Sequence, residues 1–165
     1  MSQGVIKGIQ FKSERMVQIS NLINSLIPLE SNLTIIGAAG TGKTTWVHNI
    51  LEASQLAGKY LYIDVKELEE DSFKGLLAKN TFRHIVIENI EYLHKENQAL
   101  LSQYIQKSGI TAKPVILTTS SRSLTELAQE GQLRQDLYYK LTVFKVELPA
   151  LKEIVEDISS IATWY

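Results

Sequence analysis

Apolar residues recur along this chain with two alternating periods, and that alternation outlines the fold. Met16, Ile19, Leu22, Ile23 and Leu26 fall at helical spacing, which predicts an amphipathic helix closed by Pro28. Asn32 to Ile36 is a short apolar run expected as a strand, and Lys43 to about Ala57 is expected as a helix ended by Gly58. Tyr60 to Asp64 predicts a continuous apolar strand with an acid at its carboxyl end. Lys66 to Lys79 sets Leu68, Phe73, Leu76 and Leu77 on one side, which suggests a short helix. His84 to Asn89 is a third strand whose β-branched centre suits a sheet covered on both faces. A helix over Lys95 to Lys107, a strand over Pro114 to Thr119 and a helix near Leu124 to Gln129 follow. Arg134 to Lys140 reads as one or two helical turns, Val143 to Leu148 as a fifth strand, and Leu151 to Ile161 as a final helix after Pro149. Strand and helix alternate throughout, so the fold class is α/β, a parallel sheet wrapped by helices with ligands at the strands' carboxyl ends.

Composition narrows this picture only modestly. At 165 residues, 44% hydrophobic and 21% charged, the chain is long enough to bury a core and is expected to form one domain over residues 1–165. A formal net charge of -1 supplies no general attraction to nucleic acid or anionic membrane, so direct DNA binding is not expected. Without cysteine there are no disulfides, thiolate zinc sites or cysteine nucleophiles. No apolar run approaches a membrane span and no leader opens the chain, which predicts a cytoplasmic protein. His48, His84 and His94 lack metal-ligand spacing.

The chemistry concentrates where the first strand meets the first long loop. Gly37, Ala38, Ala39, Gly40, Thr41, Gly42, Lys43, Thr44 and Thr45 carry the spacing G-x-x-x-x-G-K-T, with an apolar strand before and a helix after. Gly37, Gly40 and Gly42 free the backbone to take left-handed angles and approach a polyphosphate with its N–H groups. The following helix aims its positive end at the same anion. Lys43 supplies a mobile positive charge for the outer phosphates, and the Thr44 hydroxyl is suited to enter a magnesium shell. Such a loop needs a carboxylate at a neighbouring strand end to hold the magnesium shell, and Glu88 is the candidate. The plainer alternative is that Glu88 simply ends a buried strand.

The last third of the chain carries a longer pattern. Glu130 to Phe144, Leu148 to Glu153 and Glu156 to Ile158 resemble the "EGxFREDLYYRLNVF…LPPLRER…EDI" segment of the AAA+ domain in sigma-54-dependent transcriptional activators. Ser13 to Met16 is similar to the "SPAM" stretch opening that domain, and Val115 to Leu124 to its "RIIAATNRDL". The resemblance implies a P-loop NTPase of the AAA+ α/β type, with a five-stranded parallel sheet. It also implies ATP or another nucleoside triphosphate with Mg2+ as cofactors, and Ile9 and Phe11 near the adenine. Its two arginines that reach a neighbouring subunit's nucleotide fall on Arg134 and Lys140, although a solvated helix face accounts for both residues equally well.

Departures from the family pattern shape the expected function. The "GAFTGA" loop that contacts the sigma factor would lie between the second and third strands, where only Val65 to Arg83 stand. The family's strand-end Asp-Glu pair is Glu88 and Asn89 here, and an amide is no general base. Its switch asparagine corresponds to Asp64, its sensor Thr-Asn pair to Ser120 and Ser121. The chain ends at Trp164 and Tyr165, where the family would continue into a helical lid, so no lid is expected. These features imply a nucleotide-binding protein related to transcription regulation, with weak or no hydrolysis, partnering full-length AAA+ activators or self-associating. Two alternatives stay open: a slow ATPase with Glu91 or Asp64 as base, and a structural module whose loop binds nothing.

Overall fold

The structure, a computed structural model, describes residues 9–54, 59–69, 71–107 and 114–164. Helix α1 (Glu14–Leu26) starts where the Ser13 side chain accepts a hydrogen bond from the Met16 N–H, and runs into a tight turn containing Pro28. Strand β1 (Leu33–Ile36) leads through the glycine-rich loop into α2 (Lys43–Ala53), and β2 (Tyr60–Asp64) precedes α3 (Ser72–Lys79). Then come β3 (His84–Glu88), α4 (Lys95–Lys107), β4 (Val115–Ser120), α5 (Leu124–Gln129), α6 (Gln135–Leu141), β5 (Phe144–Glu147) and α7 (Ile158–Trp164). The strands pair in the order β2-β3-β4-β1-β5, and every pairing is parallel.

Alternation along the inner strands divides the core between two faces. Ile85 and Ile87 join α3, α4, α5 and α6 on one face, whereas Val86, between them, joins α1 and α2 on the other. All three are at most 1% exposed, as the β-branched run of β3 predicts for a sheet covered on both sides. The chain leaves β1 for the far edge at β2 and returns through β3 and β4, so β1 lies between β4 and β5. The crevice at that reversal opens beside the carboxyl ends of β1, β3 and β4.

Three elements differ from the sequence pattern. The expected helix from Lys66 begins only at Ser72, because the Asp64 side chain accepts from the Lys66 N–H and closes a separate turn over Val65–Glu67. Helix α2 stops at Ala53, short of the expected Ala57, and Gly58, its expected terminator, lies outside the described residues. The final helix is split: turns over Leu151–Glu153 and Val155–Asp157 precede α7, and Ile154 between them leaves helical angles at φ -129, ψ 44.

That split turns Asp157 inward. Its carboxylate accepts from the Lys12 N–H at 2.5 Å, from the Ser13 N–H at 3.2 Å and from the Ser13 hydroxyl, joining the two ends of the described chain. Burial alone would raise the Asp157 pKa, but the hydrogen bonds from Ser13 and Lys12 bring it below its ordinary value. Asp157→Ala leaves these donors facing a buried gap, and urea unfolding is expected to show a loss of about 2 kcal/mol. Because the folded value lies below the unfolded one, this contribution is complete above the unfolded value and fades as pH falls through the folded one. The difference between wild type and variant therefore shrinks below about pH 4.

Candidate functional site

The glycine-rich loop takes the shape its residues allow. Gly40 and Gly42 adopt φ of +79 and +83, where a side chain would be strained. Gly37 serves differently from the sequence expectation: its φ is not left-handed, but an added Cβ would meet Thr41 Oγ1 at 2.5 Å and Leu148 Cβ at 3.1 Å. The Gly37 N–H donates to the Ser120 carbonyl at 3.1 Å, tying the loop's start to the end of β4. Gly42 caps α2 with no side-chain acceptor, so no side chain competes for the helix's first N–H groups.

Lys43 turns its ammonium onto the loop itself, donating to the Gly37 and Ala38 carbonyls at 2.7 and 2.9 Å. Burial is the largest influence on its pKa and lowers it; nearby Glu91 opposes this, Lys66 reinforces it and Glu88 opposes it. Ala39, Gly40, Gly42, Lys43, Thr44, Thr45 and Asn89 line a cleft of about 380 Å³. Sequence reasoning missed Lys66 and Thr119, which also line this cleft. Lys66 arrives there because the Asp64 side chain accepts from its N–H and closes the turn that follows β2.

Glu88 ends β3 at 3% exposure, in direct register with Asp64 on β2. Its Oε2 accepts from the Thr44 hydroxyl at 3.3 Å and from the Tyr62 hydroxyl at 2.5 Å, while its Oε1 is buried without a partner. Burial and Glu88 together push the Tyr62 phenol far above its ordinary pKa, so it remains a donor. The sequence pattern places Tyr62 only within a strand.

Asn89 sits in the left-handed region at φ 59, which asparagine tolerates. Its N–H donates to Thr119 Oγ1 at 3.1 Å and its side-chain amide to Asp64 Oδ1 at 2.8 Å. Glu91 is turned aside, one oxygen accepting from the Ser121 N–H and hydroxyl and the other buried without a partner.

Arg134 and Lys140 lie outside this cleft. Arg134 pairs with Asp136 at 3.0 Å on the surface, and Lys140 donates to the Ser102 hydroxyl at 2.7 Å. The Ser102 hydroxyl, donating at 2.6 Å, and then Arg134 hold the Asp136 carboxyl down to about 2. Of the adjacent tyrosines, Tyr139 is 71% exposed and Tyr138 packs against the core.

A second cleft, of about 370 Å³ and largely apolar, shares Gly40, Gly42 and Thr45 with the first. Ile9, Phe11, Trp46, Leu148 and Ile161 contribute to its walls, with Phe11 stacked on Trp46 at 6.0 Å between centroids. Among the described residues no helix is long and apolar enough to cross a membrane.

Comparison with known proteins places this geometry. A family model described as the sigma-54 interaction domain matches residues 11–151. The transcriptional regulatory protein FlbD of Caulobacter vibrioides is 27% identical, covering 96% of this chain and 41% of its own length. The E. coli transcriptional activator HyfR is 28% identical over 95% of this chain and 28% of its own. The chain thus spans well under half the length of these curated relatives. NtrX from Brucella abortus in complex with ATP superposes with a TM-score of 0.78 at 22% identity, covering 93% of this chain and 39% of NtrX. A P-loop NTPase domain of an E. coli sigma-54 activator superposes at 0.64 and 23% identity, over 86% of this chain and 99% of that one.

Proposed function

The chain belongs to the sigma-54 interaction domain family, with the fold of AAA+ P-loop NTPase domains, and from that premise we propose that it binds ATP with Mg2+ and acts as a transcription-regulation partner. The observation that carries this reading is the convergence on one crevice of the Gly37 to Thr45 loop, the Glu88 carboxylate and an adjoining apolar cleft. The triphosphate lies along the loop's N–H groups and Lys43, and the base fills the apolar cleft beside Phe11 and Trp46. NtrX has been solved with both ADP and ATP, which favours the same ligand here.

The residues present fit magnesium. Thr44, by donating to Glu88, keeps its oxygen lone pairs for a cation, and Glu88 Oε1 is an orphaned buried oxygen that a cation's water would satisfy. Magnesium would neutralise charge on the outer phosphates. Hydrolysis is weak in this reading because the position beside Glu88 is an amide whose N–H is already given to Asp64.

The β2–β3 connection, Val65 to Arg83, contains no GAFTGA sequence, so this cytoplasmic chain regulates other activators rather than remodelling the sigma-factor complex itself. Arg134, on the surface beside Asp136, would then be offered to a neighbour's nucleotide. A Mg-ATP titration followed by melting temperature, with phosphate release measured in parallel, tests binding. Mixing with a full-length family activator tests the partner role: Arg134→Ala is expected to keep ATP binding while losing any change in the activator's ATPase rate. An activator indifferent to the wild-type chain would overturn the partner role and leave binding standing.

A further inference from the structure

Tyr62 stands on the edge strand β2, outside the phosphate loop, yet its hydroxyl donates to Glu88 Oε2 at 2.5 Å. Two hydroxyls thus converge on one oxygen of a nearly buried carboxylate, Thr44 from α2 and Tyr62 from β2, while the other oxygen has no partner. A bare buried carboxylate oxygen is costly unless a cation or its water meets it. A glutamate also swings through one more torsion than an aspartate, and donors on Oε2 from two elements restrict that motion. The Tyr62 ring, 37% exposed, stacks on His48 with centroids 6.0 Å apart and planes 10° from parallel. His48 lies one turn beyond Thr44 on α2, so Tyr62, Glu88 and Thr44 form one frame built from β2, β3 and α2.

The geometry points to Tyr62 as a positioning residue for the divalent cation: its hydroxyl pins Glu88 so that Oε1 is the oxygen presented to the cation's shell. This rests on the nucleotide-binding reading above and adds a residue that the phosphate-loop pattern does not contain.

Tyr62→Phe keeps the stacked ring and removes only the hydroxyl. ATP affinity is measured across a magnesium titration, with the melting temperature of the nucleotide-free protein recorded beside it. The magnesium concentration for half-maximal effect is expected to rise about tenfold, the scale on which partners of metal-binding groups act. Affinity for ATP in excess EDTA stays unchanged. A wild type that responds to magnesium and a variant with the same midpoint would overturn the inference and leave nucleotide binding intact. A lowered melting temperature with an unmoved midpoint counts against it equally, since a purely structural tyrosine behaves so. A wild type whose ATP affinity ignores magnesium removes both the cation reading and the inference. In a Glu88→Gln background, adding Tyr62→Phe should move the midpoint no further, and an equal second shift would overturn the coupling.

Discussion

Lys43→Ala is expected to abolish the stabilisation of this protein by Mg-ATP. In the wild type, a ligand at a hundredfold its dissociation constant adds about 2.7 kcal/mol, or roughly 5–10 °C in melting temperature for a chain of this size. Lys43 is the full positive charge within the phosphate loop, and its ammonium now rests on the Gly37 and Ala38 carbonyls, which are weak acceptors beside phosphate oxygens. Its lowered pKa reflects partial burial, so removing it also deprives a desolvated anion site of its counter-charge. Two charge-assisted hydrogen bonds set the loss of affinity at about a hundredfold or more. Some stability without nucleotide will also be lost with the two loop contacts, so the comparison is the shift on adding Mg-ATP, not the absolute melting temperature. Equal shifts in the two proteins would refute nucleotide binding at this loop.

Exchanging the pair Asp64 and Asn89, as Asp64→Asn with Asn89→Glu, should raise phosphate release by about a hundredfold over the wild type. The wild-type pair is an amide just after β3 donating to a carboxylate at the end of β2 at 2.8 Å. The exchange keeps that complementarity and moves the carboxylate next to Glu88, onto the side chain that lines the phosphate cleft. Asn89→Glu alone should do less, because it sets a second carboxylate against Asp64. The left-handed backbone at position 89 also disfavours glutamate, at roughly 1 kcal/mol, which keeps the expected gain at the low end of what a general base supplies. If the double variant binds Mg-ATP as the wild type does and releases phosphate no faster, the amide is not what limits turnover.

Much of the molecule was legible from local pattern. The five strands, the α2 start at Lys43, α4 over Lys95–Lys107 and α5 over Leu124–Gln129 follow the periodicity to within a residue or two. These elements are each specified by side chains a few positions apart, and the phosphate loop likewise, because Gly40, Gly42 and Lys43 act within one turn of backbone. The division of Ile85, Val86 and Ile87 between two faces is equally a local matter, since alternation along a strand is set by the pleat.

Neighbours along the chain thus specify the alternating α/β order, the phosphate loop and the chemical character of the strand ends. Which side chains from separate strands meet there depends on how the strands pack. Tyr62 becomes the partner of Glu88, and Asp64 of Asn89, because β2 lies beside β3 in a parallel register that aligns Asp64 with Glu88. The break at Ile154 brings Asp157 to the N–H groups of Lys12 and Ser13, more than 140 residues earlier in the chain. Hydrogen bonds of this kind depend on distance through space and burial, and neither is written in the spacing of residues along a chain.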